Sequence, residues 1–288
     1  MFKFIPRKSK SIPAAKIALP IAGGELYLHE LRSSIFKNSR LLRVWVPAGY
    51  GEPPGIRYPV FYLNDGQNLF EGSTAFAGVH WQVGETAGRL IAEKKIPPLI
   101  IVGIDNTGKN RAREYVPYRS VDLKLLMVRG KLYPNFLRRE VMPAVENRYA
   151  VLRGPENTGL GGSSLGGLIA LYTQLVAPRV FGKLLIESPS LFVANRKILA
   201  ESRRFQSWPE RVYLGMGTRE SGDEAKDEKF AADARELAQI LRAAGLGEQR
   251  LKVNIEEGAS HSESAWARRL PTALEFLYSE PPAACLAP

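Results

Sequence analysis

The stretch Thr158-Gly-Leu-Gly-Gly-Ser-Ser-Leu-Gly-Gly-Leu-Ile-Ala-Leu contains one Gly-x-Ser-x-Gly match, Gly162-Ser163-Ser164-Leu165-Gly166. A serine framed this way can serve as a nucleophile when it occupies a sharp turn between a strand and a helix. The strained backbone there leaves no room for side chains on the flanking glycines. An apolar strand candidate precedes the match and a helix-period run (Leu168, Ile169, Tyr172, Leu175) follows it, which is the required context. The helix would aim its positive N-terminal end at the oxygen that gains charge during acyl transfer. Ser163 does not fit, because Leu165 stands where its second glycine would be needed. The competing reading is a glycine-rich packing turn or a phosphate loop. No Gly-Lys-Ser/Thr sequence supports a Walker-type loop, and the dinucleotide-binding glycine pattern fits poorly.

A hydroxyl is a poor nucleophile near neutral pH and needs a base, most often histidine. The chain has three histidines, His29, His80 and His261. In serine enzymes built on a strand–turn–helix elbow the partners follow in the order Ser, Asp/Glu, His, which selects His261. It lies in Glu256-Glu-Gly-Ala-Ser-His, after the strand candidate Leu251–Glu256. The acid that orients the imidazole is expected at Glu220, just beyond the strand candidate Arg211–Gly215, with Asp223 and Glu187 as alternatives. The two oxyanion donors are expected from the backbone N–H of Leu165 and of Gln67, Gly66 being the alternative to Gln67 in the Asp65-Gly66 turn. Trp81, Tyr115, Tyr118 and Phe192 fall in loops or element ends, where aromatics can line an acyl or aryl pocket or equally belong to the core.

These residues need elements to carry them. Strands are expected at Glu25–Arg32, Leu41–Val46, Pro59–Asn64, Leu99–Asp105, Thr158–Gly162, Lys183–Glu187, Arg211–Gly215 and Leu251–Glu256. Helices are expected at Trp81–Glu93, Tyr133–Tyr149, Ser164–Leu175, Lys229–Ala244 and Ala265–Tyr278, with Pro143 and Pro271 implying kinks or late starts. Strands come first without helices and then alternate with them. That order predicts an α/β fold: a mostly parallel central sheet with antiparallel N-terminal edge strands and helices on both faces. One domain over residues 23–279 is expected, with an N-terminal arm (1–22) and a C-terminal tail (280–288).

With 45% hydrophobic and 24% charged residues, the composition is that of a globular chain. The single cysteine, Cys285, excludes an internal disulfide framework and a cysteine-built zinc site. The scattered histidines predict no metal site, and no cofactor is called for. No apolar run reaches the roughly 18–20 residues of a membrane helix, and Lys16 interrupts the one apolar stretch near the N-terminus, so a soluble, cytoplasmic protein is expected. The net charge of +11 arises from dispersed basic residues without a nucleic-acid-binding motif, which reads as a solvated basic surface, with a modest preference for anionic substrates as the lesser reading and no nucleic acid expected as a partner.

Several further segments stand in the same order as in a known family: Val60-Phe-Tyr-Leu-Asn-Asp-Gly-Gln-Asn-Leu-Phe, Arg111-Ala-Arg-Glu-Tyr-Val-Pro, Gly161-Gly-Ser-Ser-Leu-Gly-Gly-Leu, Gly217-Thr-Arg-Glu and His261-Ser-Glu-Ser-Ala-Trp. On these the chain resembles the putative esterase (esterase D) family of α/β-hydrolases from about Leu41 to Leu277, and its Gly-Gly-Leu-Ile-Ala-Leu continuation resembles the enterochelin-esterase-like branch. The resemblance implies the α/β-hydrolase fold, a serine carboxylic-ester hydrolase and a small-molecule ester substrate. It also implies that Ser164, Glu220 and His261 stand at the triad positions and Gln67 at the second oxyanion donor. Arg111 and Glu114 match a paired motif, read as bracing the loop that carries Tyr115. An acyltransferase using the same triad and a siderophore-specific esterase are the alternative activities.

Overall fold

The computed structural model describes residues 18–121, 124, 125 and 127–279. In chain order the strands are β1 (Ala18–Ile21), β2 (Gly24–Ser33), β3 (Asn38–Pro47), β4 (Val60–Asn64), β5 (Ile100–Ile104), β6 (Thr158–Ser163), β7 (Lys183–Glu187), β8 (Arg211–Arg219) and β9 (Leu251–Ser260). The helices are α1 (Val83–Ala92), α2 (Arg111–Tyr115), α3 (Tyr133–Phe136), α4 (Met142–Glu146), α5 (Leu165–Val176), α6 (Val193–Ser202), α7 (Glu224–Ala243) and α8 (Glu263–Tyr278).

The nine strands of the described residues join one sheet in the order β1-β2-β3-β5-β4-β6-β7-β8-β9. The first three pair antiparallel and β3 continues antiparallel onto β5, whereas every pairing from β5 through β9 is parallel. The expected α/β architecture is therefore present. Its central strands are buried along their whole length, as a sheet covered on both sides requires. Strand periodicity sorts the core. Phe61 and Leu63 of β4 face a layer formed with α1 and α8, while Val60 and Tyr62 face a layer built from α3 through α7.

Three expectations change in detail. Residues 18–21, counted with the N-terminal arm, pair with β2 as an edge strand; residues 1–17 of the arm and the tail from 280 on lie outside the described residues. The helix expected over Tyr133–Tyr149 is divided by a π turn, Leu137–Val141. Pro143 follows at once, and its missing N–H together with its ring excludes an ordinary bond back to residue 139. Pro271 does not delay α8, which starts upstream because the Ser262 hydroxyl caps it by accepting from the Ala265 N–H.

Chain order and strand order diverge at β4. From there the chain moves to β5 on one side and later returns to β6 on the other. The crevice at the carboxyl ends of β4 and β6 is thus a topological switch point, the position where open α/β sheets bind ligands. The loops after both strands carry residues singled out from the sequence.

Candidate active site

Ser164 follows the last residue of β6 and precedes α5, with φ 57° and ψ −126°. That conformation is unfavourable for a residue bearing a Cβ, and the surrounding backbone enforces it. The Ser164 N–H donates to the Glu187 carbonyl at 2.9 Å, and the Ser164 carbonyl accepts from Leu168 at 3.0 Å and Ser190 at 3.2 Å. A Cβ on Gly162 would come within 2.9 Å of the Gly166 backbone, and one on Gly166 within 2.9 Å of Asp65 Oδ2. The two framing glycines are therefore steric requirements of this turn. Asn64, at the end of β4, ties the neighbouring strand to the elbow by donating from Nδ2 to the Gly166 carbonyl at 2.8 Å.

Glu220 and His261 meet. β8 runs on to Arg219 and β9 to Ser260, so both strands deliver the residue after their last one to the same edge. His261 Nδ1 lies 2.5 Å from Glu220 Oε2, with the carboxylate side chain 1% and the imidazole 35% exposed. Glu220 Oε1 accepts from the Gly217 N–H at 2.5 Å and from Ser188 Oγ at 2.7 Å. Burial alone would raise the Glu220 pKa, but the bonds from His261, Ser188 and Gly217 outweigh it and hold the carboxyl below its usual range. An ionised carboxylate only accepts, so Nδ1 carries a proton and Nε2 is left as the basic nitrogen. No hydrogen bond joins Ser164 to His261 among the described residues. Catalytic contacts of this kind commonly tighten only with substrate bound.

The alternative acids are engaged elsewhere. Asp223 is exposed and caps α7 by accepting from Lys226 N at 3.1 Å. Glu187 is buried beneath the site and takes two bonds from Arg269, at 3.0 and 2.8 Å. Burial pushes its pKa up to about 7 against the pull of Arg269. His29 lies in β2 against the Tyr149 hydroxyl, and His80 stands near Glu85 ahead of α1.

Leu165 is the first residue of α5, and Gln67 sits in a single 3-10 turn, Gly66–Asn68, directly after β4. Asp65 enters that turn in the left-handed region with φ 60°. The two residues of the Arg111 and Glu114 motif each make an ion pair of their own. Arg111 binds Asp65, whereas Glu114 accepts from Arg40 at 2.8 Å and Asn38 at 2.6 Å.

The aromatics expected at the pocket divide. Tyr115 is fully buried, packed on Tyr133 with its hydroxyl accepting from the Asp65 N–H, so it supports the Gln67 turn and offers no surface to a ligand. Trp81 is likewise buried and packs on Trp266, which itself meets the His261 ring edge-to-face at 5.0 Å. Phe192 is half-buried at the start of α6, stacked on Phe230. Tyr118 borders a cleft of about 870 Å³ between α6 and the chain leading into α3, whose walls include Arg119, Lys131, Leu132 and Lys197. Among the described residues none of these three cations has a carboxylate within ion-pair distance.

Sequence reading assigned no site role to Asn64, Ser188, Trp266 or Arg269. Arg269 did leave a signal, since it falls on the same helical face as Trp266, Leu270 and Ala273, where an arginine needs a buried partner. Ser188 left none.

A serine in a left-handed strand-to-helix turn at the switch point, with an acid–imidazole pair on later loops of the same edge, defines an α/β-hydrolase. The chain belongs to the Putative esterase family, whose sequence profile matches residues 33–277, and it is accordingly a hydrolase acting on esters. It is 26% identical over 247 residues to the uncharacterized protein YbbA of Bacillus subtilis, covering 84% of this chain and 94% of that one. It is 24% identical over 252 residues to the ferri-bacillibactin esterase BesA of the same organism, covering 80% and 82%. The enterobactin esterase FES of Shigella flexneri superposes with a TM-score of 0.68 at 21% identity, over 90% of this chain and 60% of that one.

Proposed function

We propose that the protein is a serine carboxylic-ester hydrolase working through an acyl-enzyme. Ser164 Oγ attacks the ester carbonyl while His261 Nε2 takes its proton, and Glu220 holds the imidazole through Nδ1. The oxyanion is met by the Leu165 N–H at the start of α5 and the Gln67 N–H after β4. His261 then passes the proton to the departing alcohol, and on the second half-cycle draws one from the water that releases the acid. The observation that carries this reading is the Glu220–His261 bond on the sheet edge that also presents the strained Ser164.

Hydrolysis of p-nitrophenyl esters from acetate to decanoate, with Ser164→Ala as control, tests it. Serine-dependent turnover is expected, with a chain-length optimum that sizes the acyl pocket. Near-normal turnover by Ser164→Ala would sink it. Added acceptor alcohols separate hydrolysis from acyl transfer by the product formed.

A narrower substrate has two supports. Curated relatives are named as esterases of bacillibactin and enterobactin, and the cleft beside Tyr118, whose lining includes none of Ser164, Glu220 and His261, carries Arg119, Lys131 and Lys197 without carboxylate partners among the described residues. Both favour a large anionic ester of the siderophore type. Cleavage of a ferric catecholate trilactone at a kcat/KM well above that of p-nitrophenyl acetate is the expected result; a preference for the small neutral ester would contradict it.

A further inference from the structure

Ser188, which follows the last residue of β7, is buried and has φ 39°. Residues with a Cβ rarely adopt such a backbone, and glycine would meet it at least cost. Its Oγ lies 2.7 Å from Glu220 Oε1, 2.9 Å from Trp266 Nε1 and 3.4 Å from Arg269 Nη2. Indole and guanidinium nitrogens only donate, so they occupy the two acceptor positions of the hydroxyl. Its single proton is left for Glu220, and valence alone fixes the direction of that bond.

The main chain at the same place reaches the nucleophile. The Ser188 N–H donates to the Gly215 carbonyl at 2.8 Å, and the Glu187 carbonyl accepts from the Ser164 N–H at 2.9 Å. One dipeptide therefore holds the serine elbow through its backbone and the acid through its side chain. The charged groups packed about the Glu220 carboxylate are His261 after β9, Glu187 of β7, and Arg269 of α8 with its second partner Glu256.

We propose that Ser188 is a positioning residue that fixes Glu220 in the rotamer and charge state in which it orients His261. The proposal rests on the reading of Ser164, His261 and Glu220 as the reacting set. Without the Ser188 hydroxyl the carboxylate loses one of three hydrogen bonds and becomes a stronger acceptor toward the imidazolium. Ser188 itself is 2% exposed, so its removal is expected to leave KM little changed.

The test is steady-state kinetics of Ser188→Ala and Ser188→Gly on p-nitrophenyl acetate from pH 5 to 9, with wild type and Ser164→Ala alongside and folding checked by circular dichroism. Both variants are expected to lose about tenfold in kcat, with KM within about twofold and the acid limb of kcat/KM moved to higher pH. Ser188→Gly relieves the positive φ, so it stays informative if Ser188→Ala folds poorly. Wild-type kcat with an unmoved acid limb in folded Ser188→Gly would overturn the proposal and leave Ser188 a purely conformational residue. Turnover surviving in Ser164→Ala would instead overturn the underlying triad reading, a result distinct from any change confined to Ser188.

Discussion

Arg111 grips Asp65 through two parallel hydrogen bonds, Nε to Oδ1 at 2.8 Å and Nη2 to Oδ2 at 2.7 Å. Asp65 is the left-handed residue that starts the Gln67 turn, and its Oδ2 packs where a side chain on Gly166 would fall. One ion pair therefore joins the turn offering Gln67 to the turn offering Ser164. Burial would lower the arginine's pKa, but the Asp65 charge prevails and raises it, so the guanidinium stays charged throughout the working range.

Arg111→Met should leave Asp65 buried with Asn106 as its remaining side-chain donor. The expected cost is ~3 kcal/mol in urea unfolding, at the low end for a broken buried pair because Arg111 is partly exposed. On the proposed oxyanion role of Gln67, turnover should fall more than binding, since the displaced group is its backbone N–H. Arg111→Lys keeps the charge without the two-pronged geometry and should land between the two. Equal stability and kcat in Arg111→Met and wild type would remove this role.

At the elbow, Gly162→Ala must push its new methyl to within 2.9 Å of the Gly166 backbone and of Asn64 Cβ. Neither contact is the far end of a flexible side chain. Destabilisation of about 1–3 kcal/mol is expected, with loss of p-nitrophenyl acetate turnover exceeding the unfolded fraction. A melting curve and kcat unchanged from wild type would show that the turn has more room than its geometry implies.

The sequence was most legible where a local rule dictates the outcome. Alternating and continuous apolar runs gave eight of the nine strands seen among the described residues, because covering both faces of β4, β5 and β7 leaves no polar positions except at their ends. Gly162, Ser164 and Gly166 were readable for the same reason, since a strained turn restricts residue type. What stayed hidden depends on contacts between distant segments. Asp65 and Arg111 are 46 positions apart, and Ser188 and Trp266 are 78 apart. Tyr115 and Trp81 look like pocket residues by their place at element ends, yet tertiary packing buries both. The helix α6 was missed because residues 194–196 adopt left-handed angles that no helical periodicity announces.

Glu220→Gln keeps the shape of the carboxylate while removing its charge. On the proposed triad, about a ten-thousandfold loss in kcat on p-nitrophenyl acetate is expected from neutralising the acid in place. Stability should report the same group. Its folded pKa lies below the ordinary glutamate value, so its contribution is complete above that value and disappears as pH falls through the folded pKa. Urea unfolding of the variant should therefore lose part of the acid-side decline seen in wild type. An unchanged acid limb of stability would mean that Glu220 is no more stabilised in the fold than in the unfolded chain.

Glu187 should act in the opposite sense. Its folded pKa is pushed up to about 7 by burial, above the value of an ordinary glutamate. Between those two values the folded state holds a proton that the unfolded chain has released, so stability falls as pH rises across that window and levels off above it. Glu187→Gln removes the titration and leaves Arg269 bound to Glu256. Its stability should be flatter than wild type from about pH 5 to 7. A parallel decline in both proteins would assign the slope to another group.

The cleft beside Tyr118 is testable by charge reversal. Arg119→Glu with Lys131→Glu alters exposed side chains, so the melting temperature should shift little. The kcat/KM of an anionic aromatic ester should drop about tenfold at low ionic strength, and that of a neutral p-nitrophenyl ester far less. Salt should shrink the difference, because exposed charges are screened over about 10 Å at 0.1 M. Equal losses on both substrates would mean that the double variant damages the site itself, and no loss on either would place anionic substrates elsewhere on the surface.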